Sequence, residues 1–213
     1  MKKVENILFD FNGTIVDDLD LCLNLLNTML SMCNHKKVSK EKYLDIFTFP
    51  VIEYYKKAGF IFPKDDFPKL ANYFIEEYKK ENGNCLLNEG VIEILEYFKK
   101  LNKNLVIVSA SEINLLKEQL KKYKIEQYFN DISGLDNINA SSKIESARSF
   151  LKTKNYDLTK TVFIGDTLHD YEVAQELNVE CILVCKGHQS KERLQTCHCL
   201  VIDNILELKN LLE

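Results

Sequence analysis

Three aspartates stand out because each follows a run of apolar residues. Asp10 comes after Ile7-Leu8-Phe9, and Asp166 and Asp170 come after Val162-Phe163-Ile164-Gly165. An acid just past an apolar strand in an open α/β sheet is aimed at the ligand-binding edge and not at the core. Asp166 and Asp170 stand four residues apart, on one side of a turn that opens into a helix. Three carboxylates converging at strand ends make an oxygen cage suited to Mg²⁺. Each segment also has a plainer use, since Asn12-Gly13 is a tight-turn dipeptide and aspartates cap helices. Two acid-bearing strand ends in one chain favour the cage. Ser109, which closes the run Leu105-Val106-Ile107-Val108, and Lys143, which opens a helical pattern after Ser141-Ser142, complete the set. A hydroxyl and a cation at those places would hold phosphate oxygens, whose charge Mg²⁺ alone does not neutralise. Taken singly, a lysine at a helix start is usually a solvated surface residue and a serine after a strand is usually a turn former.

These residues need a scaffold that brings strand ends together, and the periodicity supplies one. Short apolar runs at about 6–9, 105–109, 131–134, 162–165 and 181–184, with a possible sixth at 200–202, read as strands. Helical patterns at about 89–101, 113–123, 143–152, 170–177 and 205–212 lie between or after them, which predicts an α/β fold with a Rossmann-like parallel sheet and helices on both faces. From about Asp17 to Asn84 the pattern is helical throughout, with Leu19, Leu23, Leu26 and Leu30 on one face and Phe67, Leu70, Phe74 and Tyr78 on another. This reads as an all-helical insert placed directly after the first strand, returning near Gly83.

The chain has 213 residues, 46% hydrophobic and 28% charged, enough for one substantial domain carrying a smaller insert. With a net charge of −4 and no basic patch, neither nucleic acid nor membrane is expected as a partner. The N-terminal apolar run is too short for a signal-peptide core or a span, and the seven scattered cysteines form no C-x-x-C pair, so a cytoplasmic location with reduced thiols is expected.

The order Asp10-x-x-Gly13-Thr14, Ser109, Lys143, then Gly165-Asp166-x-x-x-Asp170 resembles the haloacid dehalogenase-like hydrolases, and the insert resembles the helical cap of their phosphoglycolate phosphatase-like branch. The resemblance implies a core of residues 1–16 and 85–213 and a cap of residues 17–84. It implies a Mg²⁺-dependent phosphoric monoester hydrolase in which Asp10 is the nucleophile, and a small phosphorylated metabolite as substrate of a monomer or weak dimer. Ser109, Ala110, Lys143, Gly13 and Thr14 would bind phosphate, while Asp10, Asn12 (through its carbonyl) and Asp166 would hold the metal, with Asp170 in support. One position departs: Asn12 stands where the family's phosphatases usually carry a second aspartate that shuttles protons, and an amide cannot do so. The departure leaves open a poorly active phosphate- or metabolite-binding protein, or an enzyme cleaving a non-phosphoester bond. His169, between the two acids, is a candidate replacement proton carrier. The spacing of His188, Cys197, His198 and Cys199 fits no closed zinc site well. Phe47, Phe49, Tyr54 and Tyr55 line a substrate pocket or simply pack the cap, and Asp17 and Asp18 are expected to cap the first insert helix.

Overall fold

The computed structural model describes residues 3–135 and 143–212. Ser141 and Ser142 lie outside the described residues. The chain opens with β1 (Asn6–Phe9) and a two-residue strand β2 (Val16–Asp17), followed by the helices α1 (Leu19–Met32), α2 (Lys40–Ile46), α3 (Val51–Ala58) and α4 (Phe67–Glu81). It returns through β3 (Leu86–Leu87), α5 (Val91–Lys100), β4 (Asn104–Glu112), α6 (Ile113–Lys122) and β5 (Asp131–Leu135). It ends with α7 (Lys143–Lys154), β6 (Thr161–Gly165), α8 (Leu168–Leu177), β7 (Glu180–Val184), α9 (Lys191–Leu194), β8 (Leu200–Ile202) and α10 (Leu208–Leu211).

Six strands form one parallel sheet in the order β5-β4-β1-β6-β7-β8. The short run at 200–202 is thus a true sixth strand. Because side chains alternate along a strand, β1 divides its apolar residues between two layers. Ile7 and Phe9 join Leu105, Ile107, Val162 and Ile164 on the face covered by α5 and α6, while Leu8 joins Val106, Val108 and Phe163 on the face covered by α7 and α8. Strands buried on both faces read as continuous apolar runs, which is why the sequence shows them so clearly. β1 is flanked by β4 and β6, so the segments leaving these three strands emerge side by side at one edge of the sheet.

Helices α1–α4 enclose an apolar cluster of their own that includes Leu26, Met29, Leu30, Tyr43 and Tyr55. Val16–Asp17 pairs antiparallel with Leu86–Leu87 to make a small ribbon at the base of the insert. One expectation needs correction: strand β4 does not stop at Ser109. It runs on to Glu112, with its register on β5 shifting between Val108 and Glu112. Among the described residues no helix is long and apolar enough to cross a membrane.

One buried polar group serves neither sheet nor site: the Gln119 amide on α6 is 2% exposed and has no hydrogen-bond partner among the described residues. An unsatisfied buried polar group costs about 1–3 kcal/mol. Gln119→Met should therefore raise the thermal midpoint by roughly 2–4 °C, the shift that about 1 kcal/mol gives in a chain of this size. A lower midpoint in a melting experiment would contradict this.

Candidate active site

Asp10 follows the last residue of β1, and its backbone N–H donates to the Ile164 carbonyl of β6 at 2.8 Å, so the two strand ends are tied directly. Asp166 follows β6, and Asp170 lies in the first turn of α8. A reciprocal cap fixes that turn: the Thr167 side chain accepts from the Asp170 N–H, while Asp170 Oδ2 accepts from the Asp166 and Thr167 N–H groups and from the Thr167 hydroxyl (2.7–3.2 Å). The three acids are buried and each offers an oxygen within 4.8 Å of the others. Lys143, first residue of α7, reaches in to donate from Nζ to Asp10 Oδ1 and, at 2.6 Å, to Asp170 Oδ1. The structure thus brings together four residues separated by up to 160 positions.

Close packing around Asp166 depends on two glycines. Gly13 has φ +74°, and a Cβ there would lie 2.3 Å from Asp166 Oδ2. A Cβ on Gly187 would lie 2.0 Å from the same oxygen. Asp166 accepts from the Thr14 hydroxyl (2.9 Å) and from the His188 N–H (2.8 Å). The Gly13 N–H donates to Asp18 Oδ1 (3.0 Å). The Gly13 N–H is shared with the Val16 carbonyl (2.8 Å), and the Thr14 hydroxyl faces Asp166. Ser109 is buried and its Oγ accepts from the Ser111 N–H at 3.0 Å, whereas Ala110 is exposed.

Asn12 is held at both ends. Its Oδ1 accepts from the Ser111 hydroxyl (2.9 Å), and its Nδ2 donates to Asp18 Oδ2 (2.8 Å) and contacts the Tyr78 hydroxyl. Asp18 occupies the position before α1, but its side chain makes no capping bond. It accepts instead from Asn12, Gly13, Tyr78 (2.8 Å) and His188 Nε2 (3.1 Å). His188 is buried, bonds through Nδ1 to the Tyr43 hydroxyl at 2.8 Å and stacks on Phe47 with ring centroids 4.8 Å apart. It is therefore part of this site and not a partner of the cysteines: Cys197 and Cys199 meet each other at 3.2 Å, and His198 is exposed. His169, between the two acids in sequence, pairs with Glu172 (3.1 Å) and packs against Phe49. Tyr54 and Tyr55 are buried in the insert core.

Asp18 and His188 escaped the sequence reading, the first because a residue before a helix looks like a cap. His188 did carry a signal, because it too follows an apolar strand, β7, through a glycine.

The electrostatics follow from burial. Removal from water pushes the Asp10 carboxyl up to about 8 despite the pull of Lys143, and pushes Asp166 up to about 6. Burial acts the same way on Asp170, but Lys143 and the Thr167 bonds outweigh it and hold that carboxyl below its ordinary value. Burial disfavours a charged His188, yet Asp18 beside it raises the imidazole to about 9. Four buried carboxylates (Asp10, Asp18, Asp166, Asp170) thus face two buried cations, Lys143 and His188. Oxygen donors with net negative charge suit a hard divalent cation, so the donor set fits magnesium.

The same charge balance makes a stability prediction for the chelated protein. The ordinary value of the Asp10 carboxyl is 3.8 and its folded value is higher, so the folded chain holds a proton that the unfolded chain releases. Stability is therefore lost as pH rises between about 4 and about 8. Asp10→Asn removes the cost, and in EDTA its melting temperature should exceed that of wild type by more at pH 8 than at pH 5.5. A constant or reversed difference would refute the charge assignment.

Comparison with known proteins places this geometry in a family. The family model for haloacid dehalogenase-like hydrolases matches residues 7–184. The pyrophosphatase PpaX of Listeria welshimeri is 23% identical over 200 residues, covering 91% of this chain and 90% of that one. The phosphoglycolate phosphatase of Synechococcus elongatus is 19% identical over 195 residues, covering 90% and 88%. Among solved structures, a haloacid dehalogenase-like family hydrolase from Streptococcus pneumoniae superposes with a TM-score of 0.86 at 18% identity over the whole of both chains. A predicted phosphatase from Clostridium acetobutylicum gives 0.82 at 20% identity over 98% of this chain and 99% of the other. With the acids, the lysine and the sheet arranged as described, and a family model spanning most of its length, the chain belongs to the haloacid dehalogenase-like hydrolases.

Proposed function

We propose that this hydrolase is a phosphatase acting on a small phosphorylated compound, with Asp10 as the nucleophile. The observation that carries the reading is the buried Lys143 amine joined to both Asp10 and Asp170, with Asp166 alongside, at the carboxyl edge of the parallel sheet. Relatives named pyrophosphatase and phosphoglycolate phosphatase support a small anionic substrate.

In this mechanism an Asp10 carboxylate oxygen attacks phosphorus, the bond to the leaving group breaks, and water then hydrolyses the aspartyl phosphate. Lys143 stabilises the charge on the phosphoryl oxygens and is itself oriented by Asp170, while the Ser109 hydroxyl adds a donor. A magnesium ion held by Asp10, the Asn12 main-chain carbonyl and Asp166 would supply the remaining positive charge. The insert, residues 17–84, acts as a cap: its Tyr43, Phe47 and Tyr78 reach core residues of the site, so its closure excludes bulk water from the reacting groups.

The deciding experiment is phosphate release from pyrophosphate, acetyl phosphate and a panel of alkyl monoesters. Wild type should show Mg²⁺-dependent turnover, suppressed by Ca²⁺, whose longer bonds and larger ligand count spoil in-line geometry. Asp10→Asn should show none while keeping its fold. Turnover after thorough chelation, or near-normal turnover by Asp10→Asn, would end the proposal.

The panel also tests the leaving group. Asn12 cannot donate a proton, so departure of a basic alkoxide lacks the general acid help that is typically worth about 100- to 10,000-fold. Pyrophosphate and acyl phosphates should be preferred over alkyl monoesters by a factor in that range. A flat dependence would show that another group carries the proton.

A further inference from the structure

Asn12 and Asp18 are wired as one unit. The amide donates to the carboxylate at 2.8 Å, and Asp18 also accepts from the Gly13 N–H (3.0 Å), which it shares with the Val16 carbonyl (2.8 Å), so this one side chain contacts both residues following Phe11. Ser111 fixes the other end of the Asn12 amide by donating to Oδ1. On its far side Asp18 is bonded to His188 Nε2, whose second nitrogen meets the Tyr43 hydroxyl and whose ring stacks on Phe47. Tyr78 of α4 also donates to Asp18. Three parts of the chain therefore meet on one carboxylate, the turn after the nucleophile, the loop after β7 and helix α4 of the insert, while α2 reaches it through His188.

Resting on the phosphatase reading, we propose that Asp18 is a positioning residue that sets the orientation of Asn12 and the Gly13 N–H, and that His188 and Tyr43 make this orientation complete only when the cap is closed. The amide at position 12 is then a required donor to Asp18. An aspartate there would set two carboxylates face to face at hydrogen-bond distance, with the Tyr78 hydroxyl able to donate to only one of them. By proton bookkeeping alone, Asn12→Asp would supply the general acid that the amide cannot. The hydrogen-bond pattern makes it a loss.

The pattern also specifies its own rescue. In the double variant Asn12→Asp with Asp18→Asn, donor and acceptor exchange places. The new amide at 18 donates to the carboxylate at 12, its oxygen keeps the Gly13 and His188 bonds, and Ser111 and Tyr78 donate to the carboxylate.

The test uses the full chain with p-nitrophenyl phosphate as substrate and amide hydrogen exchange of the ligand-free protein as a second readout. Asn12→Asp should lower kcat at least about 10-fold with KM changed by less than about 3-fold, the split expected when positioning and not binding is lost. The double variant should return kcat to within about 3-fold of wild type. Exchange at the Gly13 amide should speed up in Asn12→Asp, revert in the double variant, and speed up in Tyr43→Phe, which removes only the hydroxyl on the cap side. An active Asn12→Asp, a double variant no better than the single, or unchanged Gly13 exchange in Tyr43→Phe would overturn the proposal. If wild type releases no nitrophenol with Mg²⁺, the phosphatase reading fails for this substrate and the exchange experiment alone decides the positioning role.

Discussion

The Lys143 ammonium, buried against Asp10 and Asp170, is the interaction on which the rest of the site depends. Removing an ion from water costs several kcal/mol even after relaxation, and acids packed within 4.8 Å of one another repel as well. The Lys143 cation joined to two of the three acids offsets much of that cost, and its geometry then constrains everything nearby. α7 must start where its first side chain reaches both carboxylates. The Thr167–Asp170 cap must hold one of those carboxylates still, and glycines must stand at 13 and 187 for Asp166 to fit. The lysine leaves the cluster short of positive charge, and oxygen donors with that deficit are of the kind that suits a hard divalent cation.

The parts of this architecture legible in the sequence were those governed by local pattern. Strands such as Leu105–Val108 and Val162–Gly165 are covered on both faces, so they appear as unbroken apolar runs, and an acid directly after one lies at the ligand edge. That reasoning places Asp10, Asp166 and Asp170 from single stretches of ten residues or fewer. Lys143 was legible through its order relative to them, since nothing in its own surroundings distinguishes it from a surface lysine.

What stayed hidden depends on closure over long separations. The Asp18–His188 pair joins positions 170 apart, and local pattern points each member elsewhere: Asp18 resembles a helix cap, and the signal of His188 after an apolar strand is masked by neighbours suggestive of a metal site. The ribbon of β2 and β3 has two residues per strand, too few for any periodicity. Strand β4 continues past Ser109 because β5 offers a partner there, a fact that the residues Ala110-Ser111-Glu112 do not announce.

The bonds around Asn12 bear on how long the site survives as a chemical entity. Asn-Gly peptides age when the glycine nitrogen attacks the asparagine amide carbon, closing a succinimide that opens to aspartate or isoaspartate. That ring requires the amide to swing over its own backbone and the glycine nitrogen to be free. Here Ser111 and Asp18 pin the amide from both ends, and the Gly13 N–H is engaged by the same Asp18 carboxylate. The Val16 carbonyl holds the same N–H at 2.8 Å, so ageing at position 12 requires several bonds of this turn to break together, and the chemical lifetime of the site follows from how seldom they do.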